Sequence, residues 1–175
     1  MKIKCSRCSE EHDLSRMEPS FALPDCIASM PDEERNRKRV LVSKDICSIR
    51  EESRGFIRAL LPIPVHGDVP CNWGVWVEPQ PYSVFMEIVG AWTAPWLTQI
   101  QRPARLANEL LSYEHCIGLP GLVSFPDMKS IGRFELLQEI EREHTHRLVS
   151  DQRSGVTQER KLEWLLANIH PEGRN

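Results

Sequence analysis

The segment Trp73-Gly74-Val75-Trp76-Val77 constrains this chain more than any other. Its β-branched and aromatic residues favour an extended backbone, and successive side chains of a strand point to opposite faces. Trp73, Val75 and Val77 therefore share one face, and Trp76 takes the other. A strand apolar on both faces fits in two ways. It can sit centrally, covered on both sides, or it can turn Trp76 outward as the aromatic anchor of a partner interface, a role in which Trp is enriched. Gly74 marks a close backbone approach or a bulge in either case.

The remaining pattern supplies company for this strand. Pro31 suits a first helical position, with Asp32, Glu33 and Glu34 after it and Arg37, Lys38 and Arg39 at the far end. A strand is expected over Val40–Ile49, with Val40, Val42 and Ile46 on one face. Another is expected over Phe56–Leu61, stopping at Pro62. Pro81 opens a helix whose apolar stripe is Val84, Phe85, Ile88, Val89 and Trp92. Pro95, Pro103 and Pro120 punctuate the middle of the chain, where Ala104–Leu111 has helical character. Short strands are expected over Leu122–Phe125 and Arg133–Leu137. Asp151 to Gly155 reads as a polar turn. A last helix follows over Thr157–Ile169, capped by Thr157, with Leu162, Leu165, Leu166 and Ile169 inward. This order implies an α+β fold, an antiparallel sheet with helices packed on one face. At 175 residues the chain makes one domain, with a knuckle over 1–13, a first half over 14–92 and a second over 93–175.

Charge and hydropathy narrow the function classes. A formal net charge of -3 disfavours nucleic acid, because phosphate contacts need an excess of Lys and Arg. No apolar run is long enough to span a membrane, and nothing after Met1 resembles a secretion signal. The expectation is a cytoplasmic protein whose six cysteines are thiols or metal ligands.

Cys5-x2-Cys8 is the sharpest chemical signal. Two intervening residues let both sulfurs reach one tetrahedral ion from a tight turn. His12 is the nearest further donor, and Cys47 can return on a strand. Cys5, Cys8, His12 and Cys47 make a Cys3His zinc set, expected to be structural because four protein ligands close the shell. Unmetallated thiols are the competing reading, and redox chemistry is a third. Cys26, Cys71 and Cys116 sit among apolar or turn residues and read as small core hydrophobes. His66 with Asp68, and His144-x-His146, are weak candidates for acid–base or metal chemistry beside the ordinary reading of loop and solvated face. No nucleophile elbow, phosphate loop or dinucleotide fingerprint is present.

The segments CSRCSEEH, PDEERNRKR with KDICSI, FIRALLPIPV, NWGVWVEP and HRLVSDQRSGVTQER together resemble a bacterial family known as domain of unknown function 2199. That family's CxxCGxxH motif and later DxC strand fall on Cys5, Cys8, His12 and Cys47, with Ser9 in place of the glycine. The resemblance implies the fold and the knuckle and brings no reaction with it. Two functions then compete. One is a non-catalytic, zinc-stabilised module that binds a protein through Trp76, the partner being a second copy or a toxin that the chain neutralises as an immunity protein. The other is a metal-dependent hydrolase using the cysteine-bound ion at an open position.

Overall fold

A computed structural model describes residues 2–4, 11–13, 17–93, 100–126, 130–137 and 145–169, with no side-chain detail for 2–4, 12, 13, 93, 168 and 169. A small hairpin opens the chain: β1 (Lys2–Lys4) pairs antiparallel with β2 (Glu11–Asp13). Two short helices follow, α1 (Asp25–Ala28) and α2 (Asp32–Arg37). The main sheet takes β3 (Val40–Val42), β4 (Ile46–Ile49), β5 (Arg54–Val65), β6 (Asp68–Pro79), β7 (Ile100–Leu106), β8 (Pro120–Phe125) and β9 (Gly132–Leu136). Helix α3 (Tyr82–Thr93) lies between β6 and β7, and α4 (Arg147–Ser154) and α5 (Gln158–Ile169) end the described chain.

The sheet runs in sequence order from β3 to β9, and β9 returns to β5. That last pairing is parallel, Ala59 with Gly132 and Leu60 with Arg133, so the sheet is mixed and not purely antiparallel as the sequence suggested. The reason lies in β5, a twelve-residue strand whose far edge serves two partners. Its first residues pair with β4, from Ile49↔Arg54 to Ile46↔Ile57, and its middle pairs with β9. Strands β5 to β9 thereby close on themselves, and β3 and β4 continue from β5 as an arm whose edge is β3.

Pro62 does not end β5, contrary to the sequence reading. The Pro62 carbonyl accepts from Gln152 Nε2 at 3.3 Å and the Pro64 carbonyl from Val156 N at 2.9 Å, both away from β6. A residue's N–H and C=O leave a strand on the same side. The missing proline donors therefore fall on the edge that β6 does not use. The expected strand over 40–49 is instead a hairpin. Ser43, Lys44 and Asp45 form its turn, where Ser43 N donates to Ile46 O at 2.8 Å and Ile46 N donates to Ser43 Oγ at 3.2 Å. The helical reading of 104–111 also gives way. Ala104 and Leu106 are buried two apart, a strand period, on β7.

Two segments near the end of the chain differ as well. The polar stretch around Asp151 is helical, because His146 Nδ1 accepts from Leu148 N at 3.1 Å and caps α4. Gly155 ends that helix with a φ of 81°. On α5 the inward stripe is rotated: Trp164 and Leu165 are buried and Leu166 is exposed. Arg160 N lies 3.4 Å from Thr157 Oγ1, the cap expected there. Ile169 is on α5, but its side chain lies outside the described residues.

The core fills the face carrying Ile57, Ala59, Leu61 and Ile63 of β5 with Cys71, Trp73, Val75 and Val77 of β6, all buried. Trp73 stacks on Phe21 with ring centroids 6.3 Å apart and meets the edge of Trp164 at 5.6 Å. Gly55 permits α3 to close over this face, since a Cβ there would lie 2.2 Å from the Phe85 ring.

Candidate functional site

Trp76 organises the opposite face of β6. It is 0 % exposed, so it offers no anchor to a partner; the strand is covered on both sides. Hydrogen bonds tie Trp76 to two further segments. Trp76 Nε1 donates to Phe21 O at 3.2 Å, and its backbone N–H donates to Asn108 Oδ1 at 2.7 Å. The Trp76 carbonyl accepts from Ala107 N at 2.9 Å. Two segments remote in sequence, 17–31 and 107–119, are thus fastened to one strand.

Asn108 joins those segments to each other. It is fully buried, and its Nδ2 donates to Leu23 O at 2.9 Å and to Asp25 Oδ1 at 2.8 Å. Asp25 Oδ2 accepts from Glu109 N at 2.7 Å. A buried amide needs partners for each of its polar atoms, and here they come from β6, the turn before α1 and the first residue of α1. Glu109 then organises the following loop. Its carboxylate accepts the N–H groups of His115, Cys116 and Ile117, the last two at 3.1 Å. Successive amides converging on one anion make a backbone nest. Cys116 Sγ accepts from Leu110 N at 3.1 Å and reaches Asn108 O at 3.4 Å. Burial pushes its thiol up to about 12, which keeps the S–H donor in place.

This loop contains two non-glycine residues in the left-handed region, Ser112 at φ 70° and His115 at φ 59°. Such residues cost about 1–3 kcal/mol each and persist only where surrounding contacts over-determine them. The contacts just described do so. On the next turn Tyr113 is buried with its ring 5.9 Å from Trp164, its hydroxyl donating to Asp151 Oδ2 at 2.7 Å and Arg160 lying 5.3 Å over the ring. Burial and the Asp151 carboxylate hold the Tyr113 phenol well above its ordinary pKa.

Between the two fastened segments lies a cleft of about 860 Å³. Phe21, Leu23, Leu110, Leu111 and Tyr113 give it an apolar floor, and Asp25, Arg35, Glu109 and Glu114 carry charge around it. Several of its polar groups are engaged in the fold, while the buried Arg35 Nε has no hydrogen-bond partner. Asp25 and Glu109 accept backbone N–H groups, Ser29 Oγ donates to Asp25 O at 2.9 Å, and the Tyr113 hydroxyl is bound to Asp151. Arg35 donates to Ala28 O at 3.2 Å and lies 3.7 Å from Asp32. Ser29 Oγ is bonded to a backbone carbonyl, and the Tyr113 phenol, bonded to the Asp151 carboxylate, is held by burial well above its ordinary pKa.

The residues singled out for metal chemistry are distributed differently. Cys5 and Cys8 lie outside the described residues, and so does the side chain of His12. The hairpin brackets them, since Lys4 pairs with Glu11 across residues 5–10 and His12 pairs with Ile3 on the backbone. Cys47 is fully buried on β4 opposite Phe56, and burial raises its thiol to about 11. Among the described residues no group of three or more His, Cys, Asp or Glu is placed to hold a metal. The zinc set therefore depends on Cys5, Cys8 and His12, and a thiolate at Cys47 would have to form inside the core. Cys71 and Cys116 are buried as expected, and Cys26 is partly buried.

The remaining candidates are tied into the fold. His66 Nε2 lies 2.8 Å from Ser154 O at the end of α4, and Asp68 pairs with Lys161 at 2.9 Å, so they do not act on one another. His144 lies outside the described residues, and His146 caps α4 while its Nε2 donates to Glu114 O at 2.9 Å. The basic cluster on α2 is a solvated ion-pair face, with Lys38 2.7 Å from both Glu34 and Glu52. The cleft itself was missed in the sequence. Its one local signal is the run Ala107-Asn108-Glu109, in which a polar pair interrupts apolar residues, and nothing in it reveals that Asp25 is the partner.

The sequence profile of a bacterial family, described as an uncharacterized protein conserved in bacteria and known as domain of unknown function 2199, matches residues 4–156, and the chain belongs to it. The matched span includes Cys5, Cys8, Cys47, Trp76 and both walls of the cleft. No curated protein and no solved structure matches the chain. Among the described residues no helix is long and apolar enough to cross a membrane.

Proposed function

We propose that this member of the family acts by holding a protein partner and not by turning over a substrate. The observation that carries the reading is the cleft beside α1. It is a large concavity with an apolar floor, its Asp25 and Glu109 carboxylates and its Tyr113 hydroxyl are already bonded within the fold, and its walls are fixed by Asn108 and Glu109. A preformed apolar surface lowers the ordering cost of association. Such a surface supplies affinity without supplying a nucleophile or a base. A net charge of -3 suits a basic partner through steering of the encounter, and a cytoplasmic immunity protein that neutralises a basic toxin is the narrower form of the proposal.

Zinc belongs to the same proposal as a structural ion. Cys5 and Cys8 would hold it from the loop that β1 and β2 bracket, with His12 and Cys47 as the further donors. When bound, zinc would brace the N-terminal hairpin through folding free energy.

Copurification with the tagged chain from its native host, followed by reconstitution from purified components, tests the reading. A stoichiometric complex with one protein is the expected result. A chain that forms no complex, yet shows a metal-dependent turnover abolished by Cys8→Ala, contradicts it.

A further inference from the structure

We infer that the cleft between residues 21–35 and 109–114 receives a segment of the partner that pairs apolar side chains with Lys or Arg. The inference rests on the partner-binding reading above and adds the site and the chemistry of the occupant. Three observations support it.

The first is charge. The cleft is lined by three carboxylates, Asp25, Glu109 and Glu114, against the single guanidinium of Arg35. The Asp25 and Glu109 carboxylates are bonded to neutral N–H donors, which leaves their negative charge in place. Arg35 is further drawn to Asp32. An acidic segment, or a second copy of this net-negative chain, meets repulsion here, whereas a basic segment gains.

The second is the apolar floor. Leu23 and Leu111 are only partly buried in the chain itself, and Ala28 is exposed. Apolar side chains of a partner can remove this surface from water, at about 25 cal/mol per Å². The third is preorganisation. The wall 109–114 is held by the Glu109 nest and by the left-handed residues Ser112 and His115. Its shape is set before any partner arrives.

The test uses the full chain and a fluorescein-labelled peptide made only of leucine and lysine in alternating pairs, with a leucine–glutamate peptide of the same pattern as control. Fluorescence anisotropy gives the affinities, and amide chemical shifts locate the contact. The lysine peptide is expected to bind at least about tenfold more tightly than the glutamate peptide, with shifts concentrated in residues 21–35 and 109–114. Ala28→Arg, which adds bulk and positive charge on the exposed side of α1, should weaken binding by about tenfold. Glu114→Lys is a second variant at an exposed side chain and should act in the same direction. Leu166→Arg, on the exposed side of α5, should change nothing. Equal binding of the two peptides, shifts confined to another surface, or full affinity in both folded cleft variants overturns the inference. A reconstituted natural partner that ignores both variants overturns this site while leaving the partner-binding reading standing. Failure to form any natural complex overturns that reading instead.

Discussion

Asn108→Ala separates the two walls of the cleft from the strand that carries them. In the native chain the buried amide accepts from Trp76 N and donates to Leu23 O and Asp25 Oδ1. Alanine leaves the buried Trp76 N–H without a partner, at about 1–3 kcal/mol, and withdraws a donor from the half-buried Leu23 carbonyl. Water can reach Asp25 once the wall loosens, so the carboxylate contributes less. The expected loss is about 3 kcal/mol, a fall in melting temperature of roughly 6–12 °C for a chain of this size. Thermal and urea unfolding followed by circular dichroism measure it. Asn108→Asp refines the test. It keeps an acceptor for Trp76 N–H but places a second carboxylate where an amide now donates to Asp25 at 2.8 Å. Like charges at that separation raise the pKa of the pair. Protonation is then favoured in the folded state. The deficit should be full at neutral pH and shrink as the pH falls through the raised value. A loss below about 0.5 kcal/mol for Asn108→Ala, or an Asn108→Asp deficit indifferent to pH, refutes the reasoning.

Elemental analysis of protein purified without chelator should find about one zinc per chain, and less than about a tenth of an equivalent removes the proposed knuckle. Burial raises Cys71 to about 11 and Cys116 to about 12. The folded state therefore favours the neutral thiols. That advantage is fully present below the ordinary thiol pKa of about 8.5, and stability should decline from there as the pH rises towards the folded-state values; site-resolved alkylation of native protein at mildly alkaline pH should spare both, and rapid modification of Cys71 or Cys116 contradicts this. Gly90→Ala should stabilise by about 0.5–1 kcal/mol, because a Cβ there meets nothing within 4 Å in α3. Gly121→Ala should destabilise by about 1–3 kcal/mol, because its Cβ would lie 2.5 Å from the Glu135 carbonyl; denaturant midpoints of the two variants check both signs.

The fold class and the central strand were legible because they rest on local pattern. Trp73, Val75 and Val77 alternate with Trp76, and the stripe through Phe85 and Ile88 has helical period, so β6 and α3 could be read directly. The ring closure could not. It depends on two residue pairs between β5 and β9, more than seventy positions apart, and a parallel pairing leaves no turn signature. The burial of Trp76 was left open for a related reason: the groups bonded to it belong to Phe21 and Asn108, neither of which is near it in sequence. The cleft is hidden in the same way, since Asp25 and Glu109 lie more than eighty positions apart and carry no motif that joins them. Their joint role exists only once Asn108 bonds both segments to β6. Trp164 shows a different limit. The stripe chosen for α5 put Leu166 inward, but Tyr113 and Trp73 draw the indole into the core and rotate the helix face.

Amide hydrogen exchange of the chain, free and saturated with its reconstituted partner, tests most directly the claim that this protein works by binding through the cleft. Protection should rise in residues 21–29 and 109–114 and stay unchanged on the exposed edge strand β3 and the outer side of α5. Protection confined to those other surfaces, or exchange identical in the two states, contradicts it.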